Sequence, residues 1–261
     1  MRCIFQIGVV ETLFSLGIRP AACLGVSGGA WNAAAVAVGN WRRLRFYWRC
    51  FARWPYIDLF NLGREHSPFI WTRLHRRAFT RYVGAERIAS PDTLPLFAAL
   101  TRLRDKASVI VDVKASTDPF AILLASNYLP PFYTRTPVID GERYGDGGFS
   151  DNAPYEALFE RGCDVVVVMA SKGESEGGLN RSVDDPEHIV RDERVIVIRP
   201  RHRLPLGFVE RRWERLAPIA DLGALRAREV LLGERHARCD VAARGRAPSW
   251  YFTAARRWWT G

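Results

Sequence analysis

The chain is poor in lysine, cysteine and long apolar runs, and each scarcity closes off a class of protein. Its five cysteines (Cys3, Cys23, Cys50, Cys163 and Cys239) are scattered and odd in number, with no metal-ligand spacing and no disulfide framework. Reduced thiols in a cytoplasmic setting are the expectation. No apolar stretch reaches the roughly 18–20 residues that a membrane span needs. The first residues lack the basic leader, apolar stretch and cleavage site of a secretory signal. Only Lys106, Lys114 and Lys172 are lysines, so the net charge of +10 is carried almost wholly by arginine. A coding bias toward arginine would produce that excess without any role. The functional reading is attraction to an anionic surface, lipid headgroups or nucleic acid. With 261 residues, 48% of them hydrophobic, and no internal repeat or low-complexity linker, a single α/β domain over 1–261 is expected.

What is present centres on Gly25-Val26-Ser27-Gly28-Gly29, a G-x-S-x-G pattern. A short apolar run precedes it and the alanine-rich segment 30–38 follows, which reads as strand, tight turn and helix. A serine on such a turn is held in a strained conformation with its hydroxyl projecting from the sheet. The glycines remove β-carbons that would clash, and the helix aims free N–H groups at the place where an oxyanion would form. The same five residues also occur as an ordinary loop, so flanking structure has to decide.

Residues 4–16 carry apolar positions at helical spacing, with Gly17 placed to end the helix. Across 41–106 the texture changes. Trp41, Phe46, Tyr47, Trp48, Phe51 and Trp54 alternate with Arg42, Arg43, Arg45, Arg49 and Arg53, and the pattern continues through Trp71 and Arg77. This segment reads as a helical cap beside the active site, with Ser67-Pro68 and Ser90-Pro91 as helix starts. Its arginines are either a solvated face or a lipid-contacting one. Residues 107–113 read as a buried strand, Asp118-Pro119 as a helix start, and Asp140-Gly141 as a hairpin turn. Residues 164–169 and 195–198 read as strands buried on both faces, and 171–187 as a mobile surface loop. From 206 to 261 the chain reads as helical and charged, clearest over 221–232, with a basic aromatic tail at Arg256-Arg257-Trp258-Trp259.

A serine needs a neighbouring base. His66, His75, His188, His202 and His236 are available, but none follows a strand in a glycine-rich turn, and each reads as a surface residue. Asp146 is the better candidate, because it follows a hairpin strand and is itself followed by Gly147 and Gly148, which allow close approach to its carboxylate. A carboxylate serves as base at neutral pH when burial raises its pKa. An ordinary Asp-Gly turn is the alternative.

The combination of Gly25-Val26-Ser27-Gly28-Gly29-Ala30 with Asp146-Gly147-Gly148 resembles the patatin-like phospholipase family. Ala125-Ser126 ahead of Leu129-Pro130, Asn152-Ala153-Pro154 and Gly162-Cys163-Asp164 fall in the family's order, so the resemblance covers roughly residues 1–200. It implies a three-layer α/β fold, with a parallel-rich central sheet, helices on both faces and a helical cap. It also implies a lipid acyl hydrolase of the phospholipase A or esterase type that cleaves glycerophospholipid esters. Ser27 would be the nucleophile and Asp146 the base, with Gly25, Gly28, Gly29 and Arg2 around the oxyanion and no metal or cofactor. The partners expected are a lipid ester and an anionic membrane surface rather than nucleic acid, with the protein peripheral at the membrane.

The chain departs from the family's Gly-Gly-Gly-x-Arg-Gly loop. Met1 stands at its variable position, Arg2 at its arginine, and Cys3 replaces its last glycine. Two expectations follow: the natural protein extends upstream through a glycine run and an apolar strand, or the chain is a catalytically impaired lipid-binding protein of the same fold.

Overall fold

A computed structural model describes residues 1–65, 67–130, 132–133, 136–179, 181–182, 184–207 and 209–233, with Arg64 and Glu65 described by their backbone alone. His66, His236, Cys239 and the basic aromatic tail lie outside the described residues. A 3-10 turn, Arg2–Ile4, runs into helix α1 (Phe5–Ser15), and Gly17 at φ 80° follows its end. Strand β1 (Cys23–Val26) and helix α2 (Gly28–Ala37) come next, with Ser27 alone between them. The helices α3 (Leu44–Arg53), α4 (Leu62–Glu65), α5 (Trp71–Ala78) and α6 (Ala85–Ala89) then form an aromatic layer. In it the Phe51 ring lies 5.9 Å from that of Trp71 and 5.2 Å from His75.

The rest of the chain alternates strands and helices: β2 (Leu96–Arg102), β3 (Ser108–Asp112), α7 (Pro119–Ala125), β4 (Val138–Ile139), β5 (Glu142–Asp146), α8 (Glu156–Phe159), β6 (Val166–Met169), β7 (Val195–Ile198) and α9 (Trp213–Leu232). Local chemistry accounts for several of their ends. The Asp118 carboxylate accepts the Ala121 N–H at the start of α7, with Pro119 in the first turn. Asp140 and Gly141 both take positive φ, 49° and 80°, in the turn joining β4 to β5. The α/β class expected from the sequence is the one observed, with helices packed on a central sheet.

That sheet is organised by β2, which is buried through Thr101. β3 pairs antiparallel along one of its edges, from Phe97 to Thr101. A strand has two edges, so β1 and β5 must share the other. β1 runs parallel to it up to Val26 opposite Ala99, and β5 runs antiparallel to it with Asp146 opposite Leu100. The two strands therefore meet head-on along one edge, and the residues at their meeting point are Ser27 and Asp146.

Several expectations are corrected. The cap does not extend over 41–106, because 96–102 is the central strand β2. A run buried on both faces has no periodicity to separate strand from helix. Residues 107–113 are not a buried strand, since β3 is a half-exposed edge. β6 and β7 pair parallel in a separate two-stranded sheet, and Val165 beside them is 56% exposed. Within 171–187, Leu179 N–H donates to His188 O and Arg181 is ion-paired to both Asp151 and Glu156. Of the region expected to be helical from 206, the described residues before Trp213 are not helical, and α9 runs from Trp213 through Pro218.

The outer edge of β1 has no strand beside it among the described residues. Cys23 N–H donates to Pro95 O on the β2 side, so the alternation of a parallel ladder turns the N–H and C=O of Leu24 and Val26 the other way. The Gln6 amide, next to Gly29, donates to Met169 O of β6 at 3.0 Å.

α1 and α9 pack closely because each has a glycine at the crossing. A β-carbon on Gly8 would overlap the Ala220 carbonyl, and one on Gly223 would overlap the Phe5 carbonyl. Gly8→Ala and Gly223→Ala should each lower stability by about 1–3 kcal/mol in thermal or urea melts. Gly63→Ala, with open space around it, should stay within about 0.5 kcal/mol of the parent.

Candidate active site

Ser27 has φ 53° and ψ −133°, a conformation that non-glycine residues rarely adopt. Its N–H donates to Ser126 Oγ at 3.1 Å, and that hydroxyl donates to Ala99 O at 2.8 Å, which ties the turn to β2. Gly25 is required here because a β-carbon would overlap the Ala30 backbone. Gly28 and Gly29 open α2, where the first N–H groups have no carbonyl within the helix.

Asp146 ends β5. Its N–H donates to Tyr128 O at 3.1 Å, and its carbonyl accepts the Thr101 hydroxyl at 2.7 Å. Gly148 N–H donates to its Oδ1 at 2.8 Å, and Gly147 lies so close to Ala99 that a β-carbon would overlap the carbonyl there. The Ser27 hydroxyl donates to Asp146 Oδ2 at 2.6 Å. Burial raises the Asp146 carboxyl to about 7, against the lowering effects of the Ser27 hydroxyl and the Gly148 N–H. A carboxylate so placed ionises near neutrality and is basic enough to draw on a hydroxyl proton.

Of the residues expected around the serine, Gly25, Gly28, Gly29, Gly147 and Gly148 gather at the pair. The charged groups acting on Arg2 are Glu176, Arg203 and Cys3. Cys3 is the residue of the first turn against the elbow, its Sγ 3.1 Å from where a Gly28 β-carbon would stand.

His75 corrects the reading of the histidines as surface residues. It is buried on α5, is held down to about 4 chiefly by burial, and lies one side chain from Ser27. Asn127 makes the link: its Oδ1 is 3.3 Å from Ser27 Oγ, and its Nδ2 is 3.3 Å from His75 Nε2 and 2.7 Å from Tyr133 Oη. Sequence reasoning missed Asn127 as well. Its one signal is a polar Ser126-Asn127 pair closing the apolar run of α7.

Fold and pair together place the chain among α/β proteins that present a serine on a strand-to-helix turn beside a buried carboxylate. The sequence profile of the patatin-like phospholipase family matches residues 1–159, more than half the chain, and the chain belongs to that family. The family is one of lipid acyl hydrolases. No curated protein matches the sequence.

Asp146 binds its proton more tightly folded, near 7, than at its ordinary 3.8. Its contribution therefore lowers stability as pH rises from about 4 to about 7, and is level above that. Asp146→Asn should remove this slope. The variant should be more stable than the parent at pH 8, by on the order of a few kcal/mol in thermal or urea melts, and approach it near pH 4. Equal melting behaviour of the two proteins across that range would contradict a buried, raised carboxyl.

Proposed function

We propose that the protein is a serine-dependent lipid acyl hydrolase of the phospholipase A or esterase type, cleaving glycerophospholipid esters through Ser27 and Asp146. The observation that carries this is the 2.6 Å hydrogen bond from a strained serine to a buried aspartate, in a member of this family. In the first half-reaction Asp146 takes the Ser27 proton as Oγ bonds to the ester carbonyl carbon. The carbonyl oxygen becomes an oxyanion facing the head of α2, where Gly28 N–H has no acceptor among the described residues. Collapse breaks the ester C–O bond, and the leaving alcohol takes the proton from Asp146. Water then attacks the acyl-enzyme with Asp146 again as base, releasing the fatty acid and restoring Ser27.

The membrane-surface part of the proposal is supported by an exposed apolar turn on the aromatic layer. Ile57, Leu59, Phe60 and Leu62 are all exposed, Phe60 at 88%. Buried Asn61 closes this turn by donating to Ser67 O and Phe69 O. The Phe69 ring lies 5.0 Å from Phe132, next to the Tyr133 that reaches Asn127. An exposed apolar tip, joined through Phe69 and Phe132 to the loop that reaches Asn127, on a chain of net charge +10, suits an anionic lipid surface.

One observation favours the alternative of a lipid-binding protein without turnover. The first turn sets the Cys3 thiol against Gly28, rather than a glycine whose backbone N–H is open to the oxyanion.

A fluorophosphonate probe separates the readings, since it labels only an activated serine. Labelling at Ser27 is expected, and an unlabelled, folded protein would select the alternative. Ser27→Ala and Asp146→Asn should each reduce ester turnover to near background. The double variant should be scarcely worse, as groups acting as a unit are non-additive. Vesicle binding should rise with anionic lipid and fall with salt. Phe60→Asp should cut hydrolysis of vesicle lipid by about tenfold or more while leaving a soluble short-chain ester unaffected. Equal loss on both substrates would remove the tip from the membrane-binding role.

A further inference from the structure

The Ser27 hydroxyl has one proton and two acceptors within reach, Asp146 Oδ2 at 2.6 Å and Asn127 Oδ1 at 3.3 Å. While Asp146 is ionised the proton belongs to it. A protonated Asp146 must instead donate, and the serine proton then needs another acceptor.

The surroundings of Asn127 fix which end of its amide faces the serine. Nδ2 donates to Tyr133 Oη at 2.7 Å and points at His75 Nε2, 3.3 Å away. His75 Nδ1 lies 2.8 Å from Trp71 O, so the ring keeps its proton there and leaves Nε2 as an acceptor. With Nδ2 thus engaged, Oδ1 is turned to Ser27.

We propose that Asn127 is a positioning residue of the nucleophile: its Oδ1 accepts the Ser27 hydroxyl proton whenever Asp146 is itself protonated. The pair is then fully hydrogen-bonded in both states. Protonated Asp146 donates to Ser27 Oγ, and Ser27 donates to Asn127. Loss of a proton from Asp146 swings the hydroxyl back without moving the oxygen. This role in turnover rests on the hydrolase reading, whereas the hydrogen-bond exchange itself does not.

The titratable groups facing the pair are the Cys3 thiol on the first turn, the Tyr133 phenol on the loop after α7, and His75 on α5. The Met1 amino group and Arg2 act on Cys3. Burial holds the thiol and phenol above their ordinary ranges and His75 down to about 4, so none of these three changes charge where Asp146 titrates. Burial also lowers the Met1 amino group, but it is common to every variant compared.

The test is the pH profile of kcat/KM on a soluble p-nitrophenyl ester, with the Gly148 amide nitrogen shift followed by NMR as a direct titration of Asp146. Removing the second acceptor destabilises protonated Asp146. Asn127→Ala should therefore move both midpoints down by about half a unit to one unit and lower the plateau rate by about 3- to 10-fold. Tyr133→Phe, which frees the amide to turn, should shift them the same way by less. Asn127→Asp sets a second carboxylate beside the first and should move them up. Unmoved midpoints in Asn127→Ala overturn the proposal, whatever happens to the plateau. A parent without turnover would end the hydrolase reading alone, and the NMR titration would still decide the role of Asn127.

Discussion

The backbone of Ser27, turned to φ 53° between a four-residue strand and a ten-residue helix, is the constraint on which the site rests. Such a conformation costs about 1–3 kcal/mol and persists only where its surroundings over-determine it. Here the Ser126 hydroxyl bridges the turn to β2, and the missing side chain of Gly25 lets Ala30 close down on the strand. β2 then sets the opposing group. By carrying β1 and β5 end to end along one edge, it makes the serine and the aspartate converge from segments more than a hundred residues apart in sequence. The pair is thus fixed by sheet register before any side-chain rotamer is chosen.

The same geometry sets protonation. Asp146 is buried because it faces the strand junction, and burial brings its carboxyl near neutrality. A carboxylate in open solvent would be a weaker base by about three orders of magnitude in proton affinity, the difference between 3.8 and about 7. In its proposed role as base, function and stability pull opposite ways at this residue, as at many tuned sites.

How much of this was legible in the sequence follows from how local each signal is. The turns at Ser27 and Asp146 were legible because turn chemistry writes itself into neighbouring residues: glycines on both sides of the serine, two glycines after the aspartate. Asp118-Pro119 and Asp140-Gly141 marked a helix start and a hairpin for the same reason. β2 was not legible, because Leu96-Phe97-Ala98-Ala99-Leu100 is apolar without a period, and the helices before it drew it into the cap. His75 was hidden by Arg73, Arg76 and Arg77, which suggest a solvated face, although its own side of α5 is turned inward among Trp31, Phe51 and Tyr133. Asn127 matters only through partners at positions 27, 75 and 133, a relation that no spacing rule encodes.

The edge of β1 that has no strand beside it among the described residues bears on the colloidal behaviour of the protein. Leu24 and Val26 offer main-chain donors and acceptors in an extended row, a template onto which the edge of another molecule can zip. What opposes that is long-range repulsion between copies that each carry +10. Repulsion of this kind is screened within about 10 Å at 0.1 M salt and within about 3 Å at 1 M, whereas hydrogen bonds between strands are not. The shelf life of a concentrated sample is accordingly governed by its counterions: dilute buffer keeps molecules apart, and added salt brings their edges within reach of each other.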